Sequence, residues 1–164
     1  MTETLVNAIK AAAIQVNHTI LDMFEEKPTY KELYDASQHL IIAGGKRVRP
    51  FITLMATEAV GGNRIHALPV AASMELLHCF TLVHDDIMDR DEKRRGVPTV
   101  HTIWGIPLAI LVGDILYAKA YAAALTTQNI RSIAPQRLLQ ILDIMTDATI
   151  AICEGQAQDM RFEE

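Results

Sequence analysis

The run Ile106–Leu125, IPLAILVGDILYAKAYAAAL, would be apolar on every face of a helix, with Asp114 and Lys119 as its only charges. A helix of that kind is either buried or crosses a bilayer. An unpaired carboxylate at mid-bilayer is costly, so the two charges favour a core helix and argue against a transmembrane segment. The rest of the chain must then pack around it. The apolar stock is mostly Ala, Ile, Leu, Val and Met, with only 5% aromatic residues, which suits packed helices better than a β-sandwich. The reading is all-α, with residues 1–164 as a single helical domain. At that length it can bury roughly 70% of the surface of its unfolded form.

Periodicity and breakers divide the chain further. Leu5, Ile9, Ala12, Ala13, Val16, Ile20, Met23 and Phe24 recur at helical spacing and predict a first helix over Thr4–Glu25, stopped by Pro28. A second is expected over Tyr30–Ala43, ending at Gly44-Gly45. A third starts near Pro50, whose fixed φ suits a first turn, and ends at Gly61-Gly62-Asn63. Arg64–Asp89 reads as a long apolar helix, Asp91–Thr99 as a polar loop, Ile106 to about Thr126 as the core helix and Gln136 to about Glu164 as a final helix. No repeat or linker marks a domain boundary.

Chemistry concentrates at the end of the long helix, in HDDIMDRDEKRRGVPT from His84 to Thr99. Asp85 and Asp89 share a face by their i,i+4 spacing, where hard oxygen ligands can share cations with a phosphorylated substrate. On a helical wheel His78, Leu82, Asp85 and Asp89 fall within about 60° of one another, while Asp86 points roughly 100° from Asp85. Asp85 and Asp89 are thus the direct metal ligands expected, with Asp86 a weaker or supporting one. Arg94 and Arg95 can take phosphate oxygens through planar forks. A solvated acidic helix end is the plainer alternative, but it explains the basic pair poorly.

A second anion site is suggested by GGKRVRP, residues 44–50. Two glycines let backbone N–H groups approach an anion, Lys46 and Arg49 add charge, and Pro50 opens a helix whose N-terminus favours phosphate. It lacks the GxxxxGK[ST] pattern of a nucleotide loop. The formal net charge of −5 argues against nucleic-acid binding and leaves these basic clusters to a small anion. Cys79 and Cys153 sit in apolar helical patterns without metal spacing and read as reduced core thiols. With Glu3, Asp22, Glu25 and Glu26 disfavouring a transit peptide and no signal-peptide pattern, a cytoplasmic location is expected.

GGKRVRP, LLHCFTLVHDDIMDRDEKRRGVPTVH from Leu76, LVGDILYAKA from Leu111 and EGQAQDM from Glu154 resemble, in order, the blocks of trans-isoprenyl diphosphate synthases. The resemblance implies an isoprenoid-synthase-like helical bundle. It further implies that Lys46, Arg49, His78 and Arg95 hold the diphosphate of isopentenyl diphosphate, and that Arg94 contacts the allylic diphosphate. Asp85 and Asp89 would bind that second diphosphate through Mg²⁺, with Mn²⁺ able to stand in. Asp85, Asp89, Arg94 and Arg95 would then carry the ionisation. Phe80 and Thr81, five and four positions before the first aspartate, match the floor that stops the growing chain. A single aromatic at Phe80 resembles the archaeal-type geranylgeranyl synthases and suggests a C20 product over C15. The wheel, however, places Phe80 well off the His78–Asp85 stripe. Gln156 and Asp159 fall in a block that lines the active-site side of the family.

The family's second aspartate-rich motif is not in this sequence, so the bundle is expected to be incomplete at its C-terminal side. Asp143 and Asp147 share a face but read as solvated. An apolar face should therefore be covered by another copy or by a second prenyl-synthase subunit. Three readings compete. Chain elongation uses both anion sites; terpene cyclisation has no need for the second; a truncated or non-catalytic subunit would bind isoprenoid diphosphates and act only with a partner chain.

Overall fold

A computed structural model describes residues 2–24 and 28–162. In chain order the elements are α1 (Thr2–Asp22), α2 (Lys31–Ile42), α3 (Val48–Ala59), α4 (Arg64–Met88), strands β1 (Lys93–Arg94) and β2 (Val97–Pro98), α5 (Val100–Trp104), α6 (Ile106–Leu125), a 3₁₀ turn at Thr126–Asn129, and α7 (Pro135–Phe162). The all-α expectation holds. The predicted ends at Glu25 and Glu164 lie outside the described residues.

α4 and α6 pack along each other at the centre. Their seam is built from Ala71, Ala72, Leu76, Cys79 and Val83 on one side and Ala109, Val112, Leu116, Ala120 and Ala123 on the other, all buried. Small residues let the two backbones approach, and α1 packs on α4 and α3, burying Ala12, Val16 and Ile20 at a spacing of four. Both α4 and α6 have the length and composition of a membrane-crossing helix. Here they are the core pair of a bundle, and α4 buries a carboxylate, Glu75, among cations. Lys119, one of the two charges on α6, donates to the Met23 carbonyl at 2.6 Å and lies over the Phe24 and Tyr34 rings.

Three local differences from the sequence reading have plain causes. The expected loop after α4 contains a tight hairpin, with Lys93 opposite Pro98 and Arg94 opposite Val97. Arg95 and Gly96 at its tip both have positive φ, 55° and 81°, as a two-residue I′ turn requires. A short helix, α5, precedes the core helix and was not anticipated; it presses Trp104 edge-on against His39 of α2 at 5.3 Å. Cys79 is buried as expected, but Cys153 is exposed. α7 buries only Leu138 and Met145, so residues at its apolar positions, including Leu139, Ile144, Ile150 and Phe162, remain open.

Candidate active site

α4 ends at Met88, with Asp89 as its cap and Arg90 turning off in the left-handed region. No basic residue occupies its last turn. Carboxylates there oppose the helix dipole, so Asp85 and Asp89 stand where stability alone would place lysine or arginine. Burial, and then the negative charge of Asp89, raise the Asp85 carboxyl above its ordinary value. A cation between the two would remove that repulsion. Among the described residues no three His, Cys, Asp or Glu side chains converge on one point. Mg²⁺ needs no such cage, since it is held by one or two carboxylates plus substrate phosphates and water. Asp85 and Asp89 fit that ion and would act with a phosphorylated ligand.

Asp86 does something different. It is fully buried, and its Oδ1 accepts Arg94 Nε at 2.6 Å, while Arg94 Nη2 reaches Asp91 at 2.8 Å. Oδ2 has no partner. Asp86 is thus engaged by Arg94, which spends its fork on two carboxylates. An anion reaching Arg94 must compete with Asp91, the more exposed of the two.

The basic motif and α4 meet in a cleft of about 350 Å³, lined by Lys46, Arg49, His78 and Arg95 together with Gly45, Arg47 and Glu75. All four residues assigned from the sequence converge here. Arg49 Nη1 lies 3.3 Å from His78 Nε2. Burial, followed by the charge of Arg49 and then of Arg95, pushes the His78 imidazole down to about 4. It is therefore neutral near pH 7 and available as a hydrogen-bonding partner.

Gly45 serves a purpose that the sequence did not suggest. A Cβ on Gly45 would stand 2.7 Å from Arg47 Nη1 and 3.0 Å from Arg95 Cζ. The space is filled by guanidinium groups, so Gly45 makes room for arginines. Arg47 and Glu75 were missed altogether. Arg47 is buried and bonds Glu75, Asn17 and the Ile41 and Gly44 carbonyls, a role that its place among exposed Lys46 and Arg49 conceals. A lone Glu at an apolar helical position was the available signal, because a buried carboxylate needs a cation.

Beyond Asp85, an apolar cleft of about 250 Å³ opens between α4 and α7, lined by Phe80, Thr81, His84, Asp85, Met88, Gln156 and neighbours. Phe80 and Asp85 share it despite their wheel separation because α7 packs loosely and leaves a broad strip of α4 open. Phe80 also walls a second cleft of about 470 Å³ toward α6, edge-on to Tyr117 at 5.4 Å. Gln156 joins the wall, and Asp143, Asp147 and Asp159 are exposed.

The sequence profile of the polyprenyl synthetase family matches residues 30–164. The chain belongs to the polyprenyl synthetase family. A short chain isoprenyl diphosphate synthase of Methanothermobacter thermautotrophicus is 51% identical over 136 residues, 83% of this chain and 40% of that protein. A geranylgeranyl diphosphate synthase of Methanosarcina mazei is 46% identical over 164 residues, covering 99% of this chain and 49% of its own length. The crystal structure of a geranylgeranyl pyrophosphate synthetase from Pyrococcus horikoshii superposes with a TM-score of 0.89 at 44% identity, over 99% of this chain and 48% of that one. The chain thus spans less than half the length of these relatives, and its fold is that of polyprenyl synthetases over that span.

Proposed function

We propose that this chain forms the substrate-binding face of a prenyltransferase that condenses isopentenyl diphosphate head-to-tail with an allylic diphosphate. The observation that carries this reading is the pairing of two unlike anion sites on one helix. His78, beside Arg49 and Arg95, and Asp85, beside Asp89, are seven residues apart, about 10 Å along one face of α4. One site is basic, its single carboxylate, Glu75, already paired with two arginines; the other is a carboxylate pair suited to a cation-bound diphosphate. Mg²⁺, or Mn²⁺ in its place, held by Asp85 and Asp89 would supply charge neutralisation to the departing diphosphate. Lys46, Arg49, His78 and Arg95 hold the isopentenyl diphosphate; the C1–O bond of the allylic substrate breaks as its diphosphate leaves, the double bond of isopentenyl diphosphate attacks C1 of the resulting allylic cation, and loss of a proton restores an allylic product one C5 unit longer. The apolar cleft at Phe80 and Thr81 receives the growing hydrocarbon, with Gln156 on its wall. Phe80 favours a C20 product, with farnesyl diphosphate the shorter alternative. We place the chain in the cytoplasm.

The exposed apolar face of α7, with Ile144 69% and Phe162 86% accessible, supports a second reading in which the chain acts with further polypeptide, either another copy or a second prenyl-synthase subunit. The test is incorporation of labelled isopentenyl diphosphate with Mg²⁺ and C5, C10 or C15 allylic primers. A C20 product abolished by Asp85→Ala supports elongation by the chain itself. No product with diphosphate binding intact supports the second reading, and no binding refutes both.

A further inference from the structure

Glu75 lies mid-way along α4 and is 2% exposed. Its Oε1 accepts Arg47 Nη1 at 2.9 Å and Arg95 Nη2 at 3.2 Å, so one carboxylate oxygen joins two guanidinium groups. The two arginines are not equivalent. Arg47 is enclosed, and its remaining bonds run to Asn17 and to main-chain carbonyls. Arg95 keeps 15% of its side chain accessible and lines the basic cleft. Its Nη1 donates to the carbonyls of Leu40 and Gly44, which leaves Nε and one Nη2 hydrogen without a protein acceptor among the described residues. Both arginines also hold left-handed backbone, φ 50° at Arg47 and 55° at Arg95, a conformation that surrounding contacts must maintain.

We propose that Glu75 is a positioning residue of the basic cleft: by tying Arg95 to the buried Arg47, it fixes the Arg95 fork with its free N–H groups toward an incoming diphosphate. The inference rests on reading that cleft as a diphosphate site. Without the carboxylate, two guanidinium groups would stand together with no counter-charge, and Arg95, the one with a path to water, would turn outward. Glu75, 2% exposed, acts through Arg95.

Positioning and simple electrostatics make opposite forecasts. Removing a negative charge beside an anion site should tighten anion binding if only the field matters. Removing the group that aims Arg95 should weaken it. The probe is inorganic diphosphate, titrated calorimetrically in Mg²⁺-free buffer into the full chain and its variants, with circular dichroism confirming the fold. Glu75→Gln, which keeps shape and loses charge, should bind about ten- to a hundredfold more weakly, the range expected for loss of a charge-assisted hydrogen bond. Glu75→Asp keeps the charge but retracts it by one methylene and should also bind at least about tenfold more weakly; this arm decides the matter if the glutamine variant does not fold. In the double variant with Arg95→Lys the losses should overlap instead of adding, since both act through one contact. Unchanged or tighter binding in Glu75→Asp, or in a folded Glu75→Gln, overturns the positioning role. If those variants bind as the parent does while Arg49→Ala weakens binding, the cleft stands as a diphosphate site and only the role of Glu75 falls. If the parent chain binds no diphosphate, the reading of the cleft and the role of Glu75 fall together.

Discussion

The contact of α4 with α6 at Gly113 is testable with one methyl group. A Cβ on Gly113 would stand 2.0 Å from His84 Nε2 and 2.4 Å from its Cδ2, so Gly113→Ala must expel the imidazole. Expulsion breaks the 3.2 Å contact of Nε2 with the Ile110 carbonyl and the edge-on packing of His84 on Phe80 at 5.0 Å. Those losses are about 1 kcal/mol each. Replacing a mid-helix glycine by alanine returns about 1 kcal/mol. The net expectation for Gly113→Ala is a destabilisation of about 1 kcal/mol, or roughly 2–4 °C in Tm. In a His84→Ala background the methyl group has room, and the same substitution should stabilise by about 1 kcal/mol. Urea denaturation of the four proteins in the cycle therefore reads a coupling of about 2 kcal/mol with a change of sign. Gly113→Ala raising stability equally in both backgrounds would refute the account of this seam.

Three other perturbations follow from the site. Asp89→Asn removes the like charge that raises Asp85; it should leave the metal-free chain as stable or up to about 1 kcal/mol more stable, while abolishing stabilisation by Mg²⁺ with diphosphate in a thermal melt. His78 is held at about 4, below its ordinary value near 6.5, so the unfolded chain takes the proton first as pH falls. Stability should therefore drop between about pH 6.5 and pH 4 and stop changing from this group below that; His78→Gln should flatten the drop in denaturation curves across pH. Phe80→Ala enlarges the 250 and 470 Å³ clefts that Phe80 lines, and product analysis should show chains longer than those of the parent, at a stability cost of about 2–3 kcal/mol for a half-buried ring.

Features that depend on helical period were readable from the residues. Val16 and Ile20 point inward at the spacing that the first helix required, and Ile106–Leu125 enters the core through Ala109, Val112, Leu116 and Ala120, although Ile110 and Leu111 on its other face stay exposed. The i,i+4 aspartates were legible for the same reason, whereas the grouping of Lys46, Arg49, His78 and Arg95 was what the family resemblance implied. Features that depend on partners distant in sequence were hidden. Nothing local tells Arg47, which is buried on Glu75, from Arg49, which is exposed two residues later. Nor does the pattern GG announce that Gly45 makes room for side chains from positions 47 and 95. Cys153 looked like a core residue because α7 is apolar at the expected period; its exposure is set by which faces α6 and α7 bring together. The left-handed Arg95 at a hairpin tip also breaks the usual preference for Asn or Asp, and three tertiary hydrogen bonds hold it there.

The central claim is that α4 carries two diphosphate sites of different chemistry. It is tested most directly by calorimetric binding of isopentenyl diphosphate and of a non-hydrolysable allylic diphosphate analogue, each with and without Mg²⁺. Isopentenyl diphosphate should bind without metal and lose affinity in Arg49→Ala but not in Asp85→Ala. The allylic analogue should require Mg²⁺ and lose affinity in Asp85→Ala but not in Arg49→Ala. A single site, with both ligands sharing one metal dependence and one set of sensitive residues, would contradict the claim.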